Sequence, residues 1–183
     1  MNRWKLNRED ALVLCIDYQD KLAKSVYNRE EIEKHNQNII KTANIYKVPI
    51  LFTTQYKKGL GDVSPVLFDL VDKKESLDKT AFSIMEEESI VKALKAAGKK
   101  QIIVTGIESH ICILSSVRDL IDAGYQVFVP RDCISSREES CHINGLDQMR
   151  EYGAVISNSE SILFEIAKVS GTPEFKQMQA LIK

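Results

Sequence analysis

Short, continuous apolar segments alternate with longer amphipathic segments along this chain, and this alternation limits the folds that it can adopt. Five apolar runs are predicted to be strands, over residues 11–17, 48–54, 101–106, 126–130 and 154–157. Consecutive apolar residues dominate each run, which is typical of strands buried on both faces of a parallel sheet. The pattern therefore predicts an α/β fold, a three-layer α-β-α sandwich with a central parallel sheet of five to six strands.

The segments between these runs carry apolar residues at helical spacing. We predict helices over 29–47, 86–97, 111–123 and 137–152, and one or two more that close the chain, the last after Thr172-Pro173. The stretch 55–80 is polar and irregular, so no element is predicted there. No repeat, low-complexity tract or linker divides the sequence, and we expect one Rossmann-like domain over residues 1–183.

Charge and composition favour a small-molecule substrate over a polymeric or membrane partner. The chain has 25 Lys+Arg and 26 Asp+Glu, a net charge of -1, so no basic field is available for nucleic acid or anionic lipid. No apolar run approaches the roughly 18–20 residues that span a bilayer, and no secretory signal is expected. The cysteines lack paired spacing, so we expect a reducing, cytoplasmic location, with an organelle left open.

Polar residues follow several predicted strands at the point where each strand ends. In a parallel sheet with right-handed crossovers these ends share one edge, and ligands bind there. The residues at this edge are Asp17, Thr54-Gln55, the segment from Gly106 onward, and Arg131-Asp132. Asp17 is a candidate catalytic carboxylate, although aspartate after a strand also caps turns and helices.

Cys112 is a candidate nucleophile because it lies in or beside the first turn of a predicted helix. Unpaired N–H groups and the helix dipole favour a thiolate there, and the same N–H groups can stabilise an oxyanion during acyl transfer. Alternatively, Cys112 is a small core residue among its apolar neighbours. Cys15 lies inside a buried strand, and Cys133 and Cys141 have less distinct helix-start contexts.

Lys79 becomes a candidate through chemistry rather than through its local sequence, because most lysines are simply solvated. A thiol nucleophile needs a base to take its proton and a cation to hold the thiolate. A carboxylate and an ammonium together supply both. We therefore hypothesise that Asp17, Lys79 and Cys112 form one catalytic set.

The order of these motifs resembles that of the isochorismatase-like cysteine hydrolases, which include nicotinamidases and carbamoylases of N-carbamoyl compounds. Within this superfamily, the chain looks most similar to the isochorismatase domain-containing proteins. The resemblance covers most of the chain. It is carried by residues 16–19, 54–61, 79–83 and 106–114, and it extends to 132–137.

The resemblance implies a role for each member of the set. Asp17 would be the general base, and Lys79 would lower the pKa of the thiol and stabilise charge. Cys112 would attack an amide, carbamoyl or ester carbon and form a covalent intermediate. The peptide bond between Ile107 and Glu108 would be cis, and the backbone N–H groups of Glu108 and Cys112 would form the oxyanion hole. Members of the superfamily commonly form dimers or larger rings, so we expect a homo-oligomer.

A substrate pocket and the absence of a metal are also expected. The pocket would mix apolar surface with hydrogen-bonding groups, as small-molecule sites do; His110 is either one of its residues or an exposed turn residue. Nicotinamidases bind a metal through an aspartate and several histidines, whereas Gln19 stands two positions after Asp17 here and no histidine lies between His35 and His110. We predict no metal and no cofactor. The predicted pocket residues are Gln19, Gln55, Tyr56, Phe82, His110 and Ile113.

Other classes of function fit less well. Gly59-Leu60-Gly61 lacks the third glycine of a dinucleotide site, and neither a phosphate-binding loop nor a Gly-x-Ser-x-Gly motif occurs. The remaining alternative is a catalytically weak or inactive scaffold or binding protein with the same fold. The apolar C-terminal residues could pack on a partner or on the chain's own sheet; they are Phe175, Met178, Leu181 and Ile182.

Overall fold

The computed structural model describes residues 5–183, in which seven strands form one sheet. The sheet order is β3-β2-β1-β4-β5-β7, with β6 also paired to β4, and every strand pairing is parallel. The strands are β1 (Ala11–Ile16), β2 (Ile50–Gln55), β3 (Ser76–Lys79), β4 (Gln101–Ile107), β5 (Gln126–Pro130), β6 (Ile134–Ser135) and β7 (Val155–Ser157).

Helices cover both faces of this sheet. One apolar cluster joins the sheet to α5, α6 and α7, and a second joins it to α2, α8 and α9. The predicted three-layer α/β sandwich is therefore confirmed. The helices are α1 (Asp20–Ala23), α2 (Arg29–Tyr46), α3 (Lys57–Leu60), α4 (Pro65–Phe68), α5 (Glu88–Ala97), α6 (Leu114–Asp122), α7 (Glu139–Tyr152), α8 (Ser159–Ala167) and α9 (Pro173–Leu181).

The central strand β1 is buried along its whole length, as its continuous apolar sequence predicts. Successive side chains of a strand point to opposite faces. Accordingly, Leu12 and Leu14 contribute to the cluster beneath α5, α6 and α7, whereas Ala11 and Val13 contribute to the cluster beneath α2, α8 and α9. β1 thus connects both halves of the core and ends directly at Asp17.

A glycine sets the distance between β1 and β4. Gly106 pairs with Ile16 in the parallel register, and it has a φ of +118°, a conformation that side-chain-bearing residues rarely adopt. A Cβ on Gly106 would lie only 1.9 Å from the carbonyl oxygen of Ile16. This position therefore requires glycine, and the close approach brings the residues that follow β1 and β4 together.

The prediction of no regular element in 55–80 was wrong, because β3, α3 and α4 lie there. β3 has a single apolar residue, Leu77, and among the described residues it is an edge strand paired with β2 alone. Such a strand is stabilised by backbone pairing with its neighbour rather than by burial of its own apolar side chains. The two-residue β6 was also not predicted, and with it the sheet has more strands than the five to six expected.

Three of the four C-terminal apolar residues pack on the chain's own core. Met178 of α9 is fully buried, and Phe175 and Ile182 pack against the same cluster as α2 and α8. The hydroxyl of Thr172 accepts the N–H of Phe175 at 3.1 Å and so caps the helix. Within residues 5–183, no helix is long and apolar enough to cross a membrane.

Candidate active site

The predicted set of three side chains meets at the carboxyl edge of the sheet. Asp17 follows β1, Lys79 is the last residue of β3, and Cys112 lies in a π-helical turn, Ser109–Ile113, between β4 and α6. Because β3, β2, β1 and β4 are consecutive neighbours in a parallel sheet, their carboxyl ends present these residues to one another.

Asp17 is a fully buried carboxylate with a donor on each oxygen. The Nζ of Lys79 donates to Oδ2 at 2.6 Å, and the hydroxyl of Thr53 donates to Oδ1 at 2.8 Å. The residue adopts a left-handed backbone conformation, with a φ of 53°. The turn and the two donors fix the carboxylate at the end of β1.

The ammonium of Lys79 is equally fixed. Besides Asp17, it donates to Gln55 Oε1 at 2.6 Å and to the carbonyl of Ala81 at 3.2 Å. An ammonium has three N–H donors, and here each has an acceptor. Neither Lys79 nor Asp17 has exposed side-chain surface, so the pair is a buried ion pair.

Gln19 holds this edge of the sheet together and does not face a pocket. Its Oε1 accepts the N–H of Gln55 at 2.8 Å, and its Nε2 donates to the carbonyls of Gln55 at 3.1 Å and Gly61 at 2.6 Å. The side chain has no exposed surface. Its amide is thus committed to the backbone, which departs from the expectation of a pocket residue.

Cys112 is nearly buried, with 6% of its surface exposed, and its thiol is close enough to Asp17 and Lys79 for both charges to act on it. Burial and the negative charge of Asp17 raise the pKa of the thiol to about 12, and the positive charge of Lys79 offsets them only in part. Lys79 thus lowers the pKa of the thiol as the resemblance implies, but burial and Asp17 outweigh it, so the net pKa in the resting site is raised. The sequence identifies Lys79 as the cation, but it does not show how deeply the Cys112 thiol is buried.

The turn that carries Cys112 begins with a cis peptide bond between Ile107 and Glu108, at the position that the family resemblance implies. The carbonyl of Glu108 accepts the N–H groups of Ile111 and Ile113, each at 3.1 Å. The Glu108 carboxylate accepts the Nε–H of Arg137 at 2.9 Å.

The other predicted pocket residues separate into two groups. Tyr56 and Phe82 are exposed, at 52% and 61%, and His110 is half-buried with its Nδ1 hydrogen-bonded to Ser136 Oγ at 2.9 Å. Ile113 is fully buried and belongs to the core beneath α5, α6 and α7. The structure therefore does not place Ile113 on an accessible wall, because the π-helical turn directs it inward.

Three polar residues around the site were not predicted: Thr53, Ser109 and His142. Thr53 is the first polar residue after the apolar start of β2, and that change along the strand was its signal. His142 hydrogen-bonds Ser109 through Nδ1 at 2.8 Å from α7. Nothing local in the sequence marks this pair, since 33 residues separate them.

The remaining thiols provide a reference for Cys112. Cys15 and Cys133 are fully buried, and burial raises the pKa of Cys15 to about 12 and that of Cys133 well above its ordinary value. Cys141 on α7 is half-buried and is the more accessible comparison. All four cysteines of the described residues are free thiols.

Two further features concern possible ligands. Within residues 5–183, no three His, Cys, Asp or Glu side chains are grouped as metal ligands. A cavity of about 690 Å³ lies at the opposite, amino-terminal end of the strands, next to Asp10 and Gln101, and none of the three candidate residues lines it.

Comparison with known proteins identifies the family. The isochorismatase domain model matches residues 11–161. Isochorismatase family protein 1B of Dictyostelium discoideum is 33% identical over 180 residues, which cover 94% of this chain and 85% of that protein.

Two solved structures share the fold. The structure titled MAR1 ribonuclease from Caenorhabditis elegans has a TM-score of 0.90 at 31% identity, covering 97% of this chain and 92% of that one. The YcaC gene product of Escherichia coli, described as an octameric hydrolase of unknown specificity, has a TM-score of 0.90 at 23% identity, covering 97% and 90%. By its sequence, the chain belongs to the isochorismatase family.

Proposed function

We propose that this protein is a cysteine-dependent hydrolase of a small amide, carbamoyl or ester substrate. The observation that carries the proposal is the buried Asp17–Lys79 ion pair, joined at 2.6 Å beside the Cys112 thiol. A buried ion pair adds little to stability, whereas charged groups that perturb a thiol are typical of functional sites. The set therefore fits catalysis better than it fits a structural role.

The first step is a proton transfer from the thiol of Cys112 to the carboxylate of Asp17. A pKa of about 12 describes loss of the proton to water, which would leave an additional negative charge in the buried site. Transfer to Asp17 leaves the total charge of the three groups at zero. The product is a thiolate beside the Lys79 ammonium, so the cation stabilises the reactive form.

The next step is acyl transfer to sulfur. The thiolate attacks the carbonyl carbon, a C–S bond forms, and an electron pair moves to the carbonyl oxygen. The backbone N–H groups of Glu108 and Cys112 are the proposed donors to this oxyanion. When the C=O bond reforms, the bond to the leaving amine or alcohol breaks, and Asp17 returns its proton to that group.

Hydrolysis of the acyl-enzyme completes the cycle. A water molecule gives one proton to Asp17 while its oxygen attacks the thioester carbon. The C–S bond then breaks, the acid product leaves, and the thiolate of Cys112 recovers the proton from Asp17. No metal or cofactor is part of the proposal.

The substrate contacts that we propose are the accessible residues at the same edge: Tyr56, Phe82, His110 and the Gln55 side chain. Gln55 is held by Lys79 and by the carbonyl of Thr80, to which its Nε2 donates at 2.8 Å. Gln19 and Ile113 support the site from within the fold. Two exposed aromatic rings and a histidine suit a small, partly apolar substrate.

A binding protein without catalysis is the second candidate. It is favoured by one observation, the nearly buried thiol whose pKa lies near 12. Such a protein would keep the fold and the ion pair but would not transfer a proton between Cys112 and Asp17.

A mass-spectrometric trapping experiment separates the candidates. The protein is incubated with a panel of small amides, N-carbamoyl compounds and activated esters, and the intact mass and the products are followed. RNA joins the panel because the C. elegans relative is titled a ribonuclease. We expect an acyl adduct on Cys112 that disappears in Cys112→Ser and is strongly reduced in Asp17→Asn.

Two results would contradict the proposed cysteine hydrolase. Failure of every compound to acylate or turn over would favour the binding protein. RNA cleavage that survives Cys112→Ser would exclude a cysteine hydrolase as the explanation of that activity.

We also propose that the chain self-associates, as the YcaC gene product of E. coli is described to do. Sedimentation velocity at several concentrations tests this, and a purely monomeric species would contradict it. A single domain over 1–183, the absence of a nucleic-acid partner and a cytoplasmic location stay predictions.

A further inference from the structure

Three consecutive residues of the turn that carries Cys112 are bound by one segment of the chain. We call residues 108–112 the nucleophile turn. Glu108 accepts the Nε–H of Arg137, Ser109 Oγ hydrogen-bonds His142 Nδ1, and His110 Nδ1 hydrogen-bonds Ser136 Oγ, at 2.9, 2.8 and 2.9 Å. The partners all lie between β6 and the first turn of α7.

The three contacts differ in how strongly they can fix the nucleophile turn. The side chain of Arg137 is 60% exposed, so its ion pair with Glu108 is screened by water and contributes little. The contact of His110 is part-buried. Ser109 and His142 are both buried, at 0% and 3% exposure, so their bond has no competition from solvent.

The backbone of α7 also touches the nucleophile turn. A Cβ on Gly145 would lie 3.0 Å from the carbonyl oxygen of Ser109 and 3.2 Å from the backbone nitrogen of His110. The helix can approach this closely because residue 145 is glycine. α7 is therefore a platform for the turn, and His142 is its polar contact.

His142 is suited to hold a neutral hydroxyl. Burial is the largest cause that lowers its pKa, followed by the charge of Arg131. The ring of Tyr27 packs against it, with 6.0 Å between the ring centroids. A neutral ring keeps the hydrogen bond to Ser109 without placing another charge near the Asp17–Lys79 pair.

The catalytic set is assembled from two separately anchored parts. Asp17 and Lys79 are held by Thr53, Gln55 and Ala81, which belong to β2 or follow β3. Cys112 belongs to the nucleophile turn, whose buried side-chain anchor lies on α7. Alignment of the thiol with the carboxylate therefore depends on how the turn is held.

We propose that His142 is a positioning residue, which through Ser109 holds the nucleophile turn so that the Cys112 thiol can transfer its proton to Asp17. This inference rests on the proposed function of Cys112 and adds a residue to it. Small misplacements of reacting groups can slow a reaction by roughly 100-fold. Loss of the His142–Ser109 bond should thus slow the chemistry of Cys112 even where the protein stays folded.

The test compares the alkylation of Cys112 by acrylamide in variants of the full chain. Peptide mass spectrometry measures the rate at Cys112, with Cys141 of the same molecule as the internal reference. The variants are Ser109→Ala, His142→Leu and His142→Asn. The Asn side chain can place an amide nitrogen or oxygen near the position of Nδ1 and so rescue the bond.

The chain offers a matched control in His35, whose Nδ1 hydrogen-bonds Ser159 Oγ at 2.8 Å. This is also a histidine–serine bond, although it is part-buried and Ser159 Oγ also donates to Asp132. It joins α2 to α8, neither of which carries a member of the catalytic set. His35→Leu should therefore leave the alkylation of Cys112 unchanged. Thermal unfolding of each variant measures the purely structural effect.

We expect Ser109→Ala and His142→Leu to slow alkylation of Cys112 roughly 10- to 100-fold relative to Cys141, and His142→Asn to recover most of the rate. Should His142→Leu fail to fold, Ser109→Ala carries the same test, because it removes only a hydroxyl. If Ser109→Ala and His142→Leu unfold at a lower temperature than the parent but alkylate Cys112 at the parent rate, the positioning role is overturned.

Asp17→Asn separates failure of the positioning role of His142 from failure of the proposed function of Cys112. If Cys112 alkylation depends on Asp17 in the parent but not on His142, the positioning role alone is wrong. If alkylation is independent of Asp17, the proposed function is wrong and the positioning role with it.

Discussion

The Nζ of Lys79 donates to Oδ2 of Asp17 at 2.6 Å, and neither side chain has any surface exposed to solvent. Two opposite charges without solvent are costly to bury unless each has partners. Here Asp17 has a second donor in Thr53, and Lys79 has two further acceptors in Gln55 and Ala81. Removing one charge of this pair should therefore change the free energy of unfolding differently from removing both charges.

Removing only the ammonium should destabilise the protein more than removing both charges. Lys79→Met leaves the Asp17 carboxylate buried without its counterion, and we expect a loss of about 3–5 kcal/mol in the free energy of unfolding. Adding Asp17→Asn removes the stranded charge and should restore part of that loss. Urea unfolding of the parent, both single variants and the double variant measures this; a double variant no more stable than Lys79→Met would contradict it.

The pH dependence of Cys112 alkylation should reveal the internal proton transfer. Exchange of the proton between Cys112 and Asp17 releases none to water, so the parent rate should be nearly constant from pH 7 to pH 9. In Asp17→Asn the thiolate forms only by ionisation, and the rate should rise about tenfold per pH unit below the thiol pKa. Alkylation rates of the Cys112 peptide measure both profiles, and a parent that rises as steeply as the variant would rule out the transfer.

Alkaline conditions should destabilise the fold through its buried thiols. The pKa of Cys15 and that of Cys112 rise from 9.0 to about 12 on folding. Above pH 9 the unfolded state loses these protons while the folded state retains them, so the unfolded state binds fewer protons and stability falls with rising pH. Urea unfolding at pH 8 and pH 10.5 should show this decline, and Cys15→Ala should reduce it. An unchanged decline in that variant would remove Cys15 as a cause.

Gly106→Ala should disrupt the junction of β1 and β4. The new Cβ would lie 1.9 Å from the Ile16 carbonyl oxygen, at a φ of +118°, and we expect a loss above about 4 kcal/mol or failure to fold. Gly98→Ala is the matched control, since Gly98 also has a positive φ but nothing lies within 4 Å of its Cβ position. Its cost should be about 1–2 kcal/mol. Similar unfolding midpoints for the two variants would refute the argument.

Thr53→Val should impair the chemistry of Cys112 through Asp17. The variant keeps the shape of the side chain but removes the donor to Oδ1, leaving that oxygen buried with one fewer partner, at a cost of about 1–3 kcal/mol. Thr53→Ser retains the hydroxyl and should behave like the parent. Thr54→Val is the control on the neighbouring residue, whose hydroxyl donates to Asp78 at 3.1 Å. Equal Cys112 alkylation rates in all variants would show that the Thr53 bond is unimportant.

The predictable parts of this protein are those that depend on local pattern. The apolar runs that became β1, β4 and β5 are almost entirely buried, and such strands need a continuous hydrophobic sequence. The runs that became β2 and β7 are also strands, although they are partly exposed. Asp17 and Cys112 became candidate site residues because parallel strands share a carboxyl edge. β3 was missed because Leu77 is its one apolar residue, although its pairing with β2 is what brings Lys79 to the site.

Sequence alone determined the α/β class and the family, and it singled out Asp17, Lys79 and Cys112 as candidates, because periodicity, strand ends and motif order can be read along the chain. Only the tertiary structure decided that Gln19 and Ile113 are buried, that the Cys112 thiol has a raised pKa, and that His142 contacts the nucleophile turn. Each of these depends on which distant side chains exclude water from a group or donate a hydrogen bond to it. Such contacts arise from tertiary packing, and no local pattern encodes them.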